Sequence, residues 1–135
     1  MKAAAVAAGV AVALAAALPG CGRAGTSVRT VTLTAHHSQF SMRELRVRPG
    51  ETVRLVVHNT DPIAHELIVG DQSVQDFHEA GTEAHHGDRP GEISVAPGST
   101  AVTTYTFGPA GSRVLFGCHL PGHWAYGMQG TITVA

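Results

Sequence analysis

From Arg29 onward the apolar residues recur at alternate positions in short runs, and the runs are separated by turns containing Gly and Pro. Val31 and Leu33 alternate with threonines, which predicts a half-buried strand. His36-His37-Ser38-Gln39 interrupts it, and the stretch from Phe40 to Val47 leads into the turn Pro49-Gly50-Glu51. The clearest strand runs from Thr52 to His58, with Val53, Leu55 and Val57 on one face and Arg54 and His58 on the other. Asn59-Thr60-Asp61-Pro62 is a loop, and a further strand begins at His65. Strands resume at Glu92–Val95, Thr100–Phe107, Ser112–Cys118 and Gly130–Val134. Short strands, frequent Gly/Pro turns and one short helix predict an all-β protein, an antiparallel β-sandwich.

Between the strands, Gly70 to Gly91 is an excursion rich in acids and histidines. Val74 to Ala84 predicts one or two helical turns with Val74, Phe77 and Ala80 as the inner stripe. His78, Glu79, Glu83, His85 and His86 form a cluster whose order matches no closed metal site, and it reads as a solvated loop or a second metal site. His36-His37 and His85-His86 are adjacent pairs, whose side chains are expected to diverge on a strand.

Composition narrows the class. With 44% apolar and 14% charged residues the chain can build a packed core, and a formal charge of -1 excludes a basic nucleic-acid footprint. The only lysine is Lys2, followed by a small-apolar run from Ala3 to Leu18 and by Pro19-Gly20-Cys21. That is the pattern of a secretory signal, and the run is short of the roughly 20 residues a membrane span needs. Leu18-Pro19-Gly20-Cys21 also resembles a bacterial lipobox, in which Cys21 carries the lipid; ordinary secretion and a retained N-terminal anchor are the other readings. The expected organisation is therefore a signal peptide over 1–20, a Gly-rich tether over 21–28 and one domain over 29–135, placed outside the cytoplasm.

An exported setting makes Cys118 conspicuous. With Cys21 lipidated or removed, Cys118 is the only free thiol in an oxidising compartment, a liability unless something holds it; a Cys21–Cys118 disulfide is the other possibility. Cys118 opens the stretch Cys118-His119-Leu120-Pro121-Gly122-His123-Trp124-Ala125-Tyr126-Gly127-Met128, with the order Cys-x4-His-x4-Met. Thiolate, imidazole and a weak axial thioether are the donors of a blue-copper site, which needs a second imidazole. In His65-Glu66-Leu67-Ile68-Val69 the period of two places His65, Leu67 and Val69 on one face, so His65 points inward at a strand's first residue if that face is the core face. There it serves either as a metal ligand or as a hydrogen-bonded core residue. Strand parity likewise points Cys118 to the core side and His119 away from it.

The segment Val47-Arg48-Pro49-Gly50-Glu51-Thr52-Val53, the segment Asn59 to His65 and the run Phe116-Gly117-Cys118 through Gly127-Met128-Gln129-Gly130 together resemble the cupredoxins, the blue copper proteins. The resemblance covers Phe40 to Val134 and implies a Greek-key β-sandwich holding one copper per chain. It further implies His65, Cys118 and His123 as equatorial ligands and Met128 as the axial one. Many members follow the first histidine with Asn or Ser, whose side chain ties the ligand loops together; this chain has Glu66. The resemblance also implies a partner-docking patch around His123 made of Leu120, Pro121, Trp124 and Tyr126, with core packing as the other role for Trp124.

Three functions follow from this reading. The first is a monomeric one-electron carrier, its copper passing between Cu(I) and Cu(II), which docks transiently to redox proteins at the membrane surface. The second is a module for copper storage, delivery or sensing. The third is a copper oxidoreductase in which Cys118-His119 links two coppers; no His-x-His pair supports it.

Overall fold

The computed structural model of the protein describes residues 28–81 and 89–135. The expected signal segment, the expected tether as far as residue 27 with Cys21, and Glu83, Ala84, His85 and His86 lie outside the described residues. The strands are β1 (Arg29–His36), β2 (Gln39–Phe40), β3 (Glu44–Val47), β4 (Thr52–Asn59), β5 (His65–Gly70), β6 (Glu92–Val95), β7 (Thr100–Thr106), β8 (Arg113–Gly117) and β9 (Gln129–Val134), with α1 (Gln72–Glu79) between β5 and β6. They form two sheets, ordered β2-β1-β4-β7 and β3-β9-β8-β5-β6. No described helix is long and apolar enough to cross a membrane.

Alternation in the sequence becomes burial in the sandwich. Val31, Leu33 and Ala35 of β1 and Val53, Leu55 and Val57 of β4 face Leu67 and Val69 of β5, Val114 and Phe116 of β8, and Ile132 and Val134 of β9 in one core. Two sheets covering each other in this way bury the apolar face of each. The sandwich is as the residue pattern predicts, but its strands are not all antiparallel: β1 pairs with β4 and β3 with β9 in parallel. Period-two alternation fixes the face a residue takes and is silent about the direction of the neighbouring strand. Direction is set by the crossovers, since the chain leaves the first sheet to form β3 and then returns as β4.

The helix departs further from expectation. It begins at Gln72, capped by Asp71, whose carboxylate accepts the Val74 amide at 3.1 Å. Its buried residues are Gln75 and His78, while Phe77 is 51% exposed, so Val74, Phe77 and Ala80 are not its inner stripe. The reason lies in what the helix covers. It rests on the outer side of β5 and β8, where the Gln75 amide lies 3.4 Å from the carbonyls of Ile68, Gly70 and Leu115. A surface of main-chain carbonyls selects a donor, and Gln75 supplies one. With α1 over one side and the core on the other, every residue of β5 is buried.

Candidate metal centre

The loop from β4 to β5 and the loop from β8 to β9 meet at one end of the sandwich. Register brings them there: β5 and β8 pair antiparallel with Ile68 opposite Gly117, so the start of β5 lies beside the residues that follow β8. The second loop closes on itself through main-chain hydrogen bonds. His123 N–H donates to the Leu120 carbonyl at 2.9 Å across Pro121-Gly122, Met128 N–H to the His123 carbonyl at 3.0 Å, and Cys118 N–H to the Met128 carbonyl at 3.0 Å. Gly122 has a φ of 84°, which the turn needs and glycine supplies without strain.

This closure gathers the predicted side chains. His65, Cys118 and His123 each direct one donor atom to a common point, the three atoms lying within 4.8 Å of one another. Cys118 Sγ is 3.2 Å from His123 Nδ1, and His65 Nδ1 is 3.3 Å from the same nitrogen. Met128, with 0% of its surface exposed, is tied by its main chain to Cys118 and His123. One sulfur and two imidazole nitrogens this close, with a thioether in the adjoining loop, are suited to a copper ion. Among the described residues this is the one group of His, Cys, Asp or Glu side chains so placed, and His36, His37 and His78 do not belong to it. The His36 and His37 rings do not diverge: their centroids are 3.9 Å apart, because His37 has already left the strand with a φ of 50°.

Burial keeps Cys118 and His123 neutral in the metal-free protein. Burial pushes the Cys118 thiol up to about 12, although the amides of Glu66 and Leu120 hydrogen-bond to the sulfur and favour its thiolate. The thiol of the metal-free protein is therefore protonated at neutral pH, and loading a metal displaces that proton. Metal-free folded protein is expected to react with a thiol-specific disulfide reagent at least about tenfold more slowly than unfolded protein, since the thiolate is the reacting species and Cys118 is sealed. Equal rates would show the site open. Burial, and next the charge of His65, hold His123 below the ordinary imidazole value, which favours the neutral ring that a metal requires.

Glu66, the residue after His65, bonds to the loop that carries Cys118. Its Oε1 accepts the His119 amide at 2.7 Å, and its own amide donates to Cys118 Sγ at 3.4 Å, so one buried residue ties the start of β5 to the loop after β8. Glu66→Ala would leave the His119 amide without this acceptor, and a loss of about 1–3 kcal/mol is expected, read as a lowered denaturant midpoint. An unchanged midpoint would show that the loops are held without it.

His119 points away from the core, as parity requires, yet it is not on the surface. Its Nε2 lies 2.7 Å from Gln75 Oε1 and its Nδ1 2.7 Å from Glu79 Oε2, both on α1. Trp124 stacks on it with centroids 4.5 Å apart and rests on the backbone of Gly117, where a Cβ would come within 2.3 Å of the indole. Trp124 is thus half-buried packing, and Leu120 packs against the core, while Pro121 and Tyr126 are exposed. His123 is half-buried, and no second donor cluster flanks it among the described residues.

The chain matches the family of copper binding proteins typified by plastocyanin and azurin over residues 28–135. It is 35% identical to the copper-resistant cuproprotein CopI of Rubrivivax gelatinosus over 118 residues, covering 84% of this chain and 70% of that protein. To the copper-resistant cuproprotein CopI of Pseudomonas aeruginosa it is 28% identical over 144 residues, 83% of this chain and 79% of that protein. Auracyanin from Roseiflexus castenholzii has the same fold, with a TM-score of 0.64, 25% identity, and coverage of 82% of this chain and 99% of that one. The donor set, the sandwich that carries it and the extent of these matches lead to one assignment: the chain belongs to the plastocyanin/azurin family of copper-binding proteins.

Proposed function

We propose that the protein is an exported mononuclear type 1 copper protein that serves copper tolerance, its copper cycling one electron at a time. His65, Cys118 and His123 are its equatorial ligands and Met128 its axial one. The observation that carries the chemistry is the convergence of the first three on one point, buried beneath two hydrogen-bonded loops. Bound there, copper would supply one-electron redox between Cu(I) and Cu(II). The chain's own part is to hold the donors still: main-chain hydrogen bonds fix the loop, Glu66 ties it to β5, and burial of Cys118 and Met128 keeps water from the sulfurs. The use in copper tolerance is supported by the relatives named copper-resistant cuproproteins, and export by the pattern of residues 2–21. No catalytic copper is proposed, because His119 is engaged by α1.

The experiment is growth of a copper-sensitive bacterial strain that expresses the chain with its N-terminal segment. Wild type is expected to raise the copper concentration that arrests growth, and Cys118→Ser to leave it unchanged. No protection by copper-loaded wild type would favour a second reading, a carrier between redox proteins. That reading is supported by the half-buried edge of His123 among exposed Pro121 and Tyr126.

A further inference from the structure

The His65 ring is held from behind. Its Nε2, on the far side from Cys118 and His123, lies 2.8 Å from Asp61 Oδ2. Asp61 is only 5% exposed, and its carboxylate has further partners: the His37 amide donates to Oδ1 at 2.7 Å and the Ser38 amide to Oδ2 at 2.8 Å. These two amides belong to the turn between β1 and β2, where His37 and Ser38 have φ values of 50° and 53°. Left-handed backbone at two non-glycine residues is strained, and it persists where its surroundings hold it. What it achieves here is to aim two adjacent N–H groups at one carboxylate.

Asp61 itself is fixed. Its amide donates to Asn59 Oδ1 at 2.9 Å, and Asn59 Nδ2 donates to the carbonyls of Ile63 at 2.8 Å and Ala96 at 3.0 Å. The carboxylate therefore cannot follow the His65 ring; the ring must follow the carboxylate. An acceptor at Nε2 requires the proton there and leaves Nδ1 bare toward the cluster, free to donate to a metal ion.

We infer that Asp61 is the positioning residue of the copper centre, an anionic anchor set by the strained His37–Ser38 turn that fixes the orientation of His65 and favours Cu(II) over Cu(I). The inference rests on the reading of His65 as a ligand. A negative charge one ring away from the metal attracts the doubly charged ion more than the singly charged one, and loss of such a partner typically changes metal affinity about 10–100-fold. Asp61→Asn retains the shape and removes the charge.

In the copper-loaded Asp61→Asn protein the visible thiolate-to-copper band is expected to remain. The Cu(II)-to-Cu(I) affinity ratio is expected to fall at least about tenfold, a rise of about 59 mV in reduction potential. A lowered melting temperature with an unchanged potential would make Asp61 a structural residue alone and overturn the inference. Should the variant not fold, long-range proton–nitrogen NMR of wild type decides: the inference requires a protonated Nε2 and a bare Nδ1 on His65, and the opposite tautomer overturns it. Failure of the ligand reading looks different. In that case His65→Gly would keep the wild-type band, whatever Asp61→Asn does to the potential.

Discussion

Replacing Cys118 with serine is expected to abolish the strong visible absorption of the copper-loaded protein and to leave the fold in place. At the proposed site the absorption would arise from charge transfer between thiolate sulfur and Cu(II), and Cys118 Sγ is the sulfur that lies 3.2 Å from His123 Nδ1. A serine hydroxyl in the same buried position has no accessible anion and is a much harder donor. His65 and His123 would remain able to bind copper weakly, so metal content falls less steeply than colour. The sandwich does not depend on the thiol as a hydrogen-bond donor, since the sulfur accepts from the Glu66 and Leu120 amides and a hydroxyl oxygen can also accept. A copper titration followed by optical absorption, with circular dichroism as the check on folding, reads both effects. A band that survives in folded Cys118→Ser would remove Cys118 from the ligand set, and the placement of His65 and His123 would need another explanation.

The parts of this centre that could be read from the sequence are the parts with local signals. Cys118, His123 and Met128 share one loop with regular gaps, and His65 is reached by strand parity from Leu67 and Val69. The residues that hold them were not legible in the same way. Asp61 stands four residues before His65, a separation that has no meaning outside a helix, and the other hydrogen bonds to its carboxylate come from His37 and Ser38, 24 and 23 residues upstream. The one available signal was the turn composition Asn59-Thr60-Asp61-Pro62 ending shortly before an inward histidine. Glu66 read as a departure from the resemblance; in the fold its carboxylate accepts the main-chain amide of His119. The two parallel pairings and the polar underside of α1 were hidden for a common reason. Alternation records burial against apolar surface, and neither strand direction nor a carpet of carbonyls leaves a trace in it.

The same dependence on distant contacts makes Gly130 a sensitive position in the scaffold. Gly130 opposes Phe116 across β8 and β9, and a Cβ there would lie 2.2 Å from Phe116 Cζ and 2.6 Å from the Arg43 carbonyl oxygen. The ring cannot simply withdraw, because Phe116 is 2% exposed and sits against Phe40 with centroids 5.8 Å apart. Nor can the carbonyl, which accepts the Thr131 amide at 2.9 Å beside the pairing of β3 with β9. Overpacking a core costs about 1–3 kcal/mol where side chains can adjust, and here main chain is also in the way. Gly130→Ala is therefore expected to cost about 3 kcal/mol, a fall of more than about 10 °C in the melting temperature of the metal-free protein. Adding Phe116→Leu, which removes the ring, should restore part of the loss and leave the share due to the Arg43 carbonyl. Scanning calorimetry of the three proteins separates the two contacts, and a melting temperature for Gly130→Ala within a few degrees of wild type would show that β3 and the Phe116 ring do not close over β9 as described. Because Gly130 lies two residues after Met128, and Phe116 two before Cys118, the same substitution should also broaden the visible band of whatever copper-loaded protein survives, since the loop would lose one of its fixed ends.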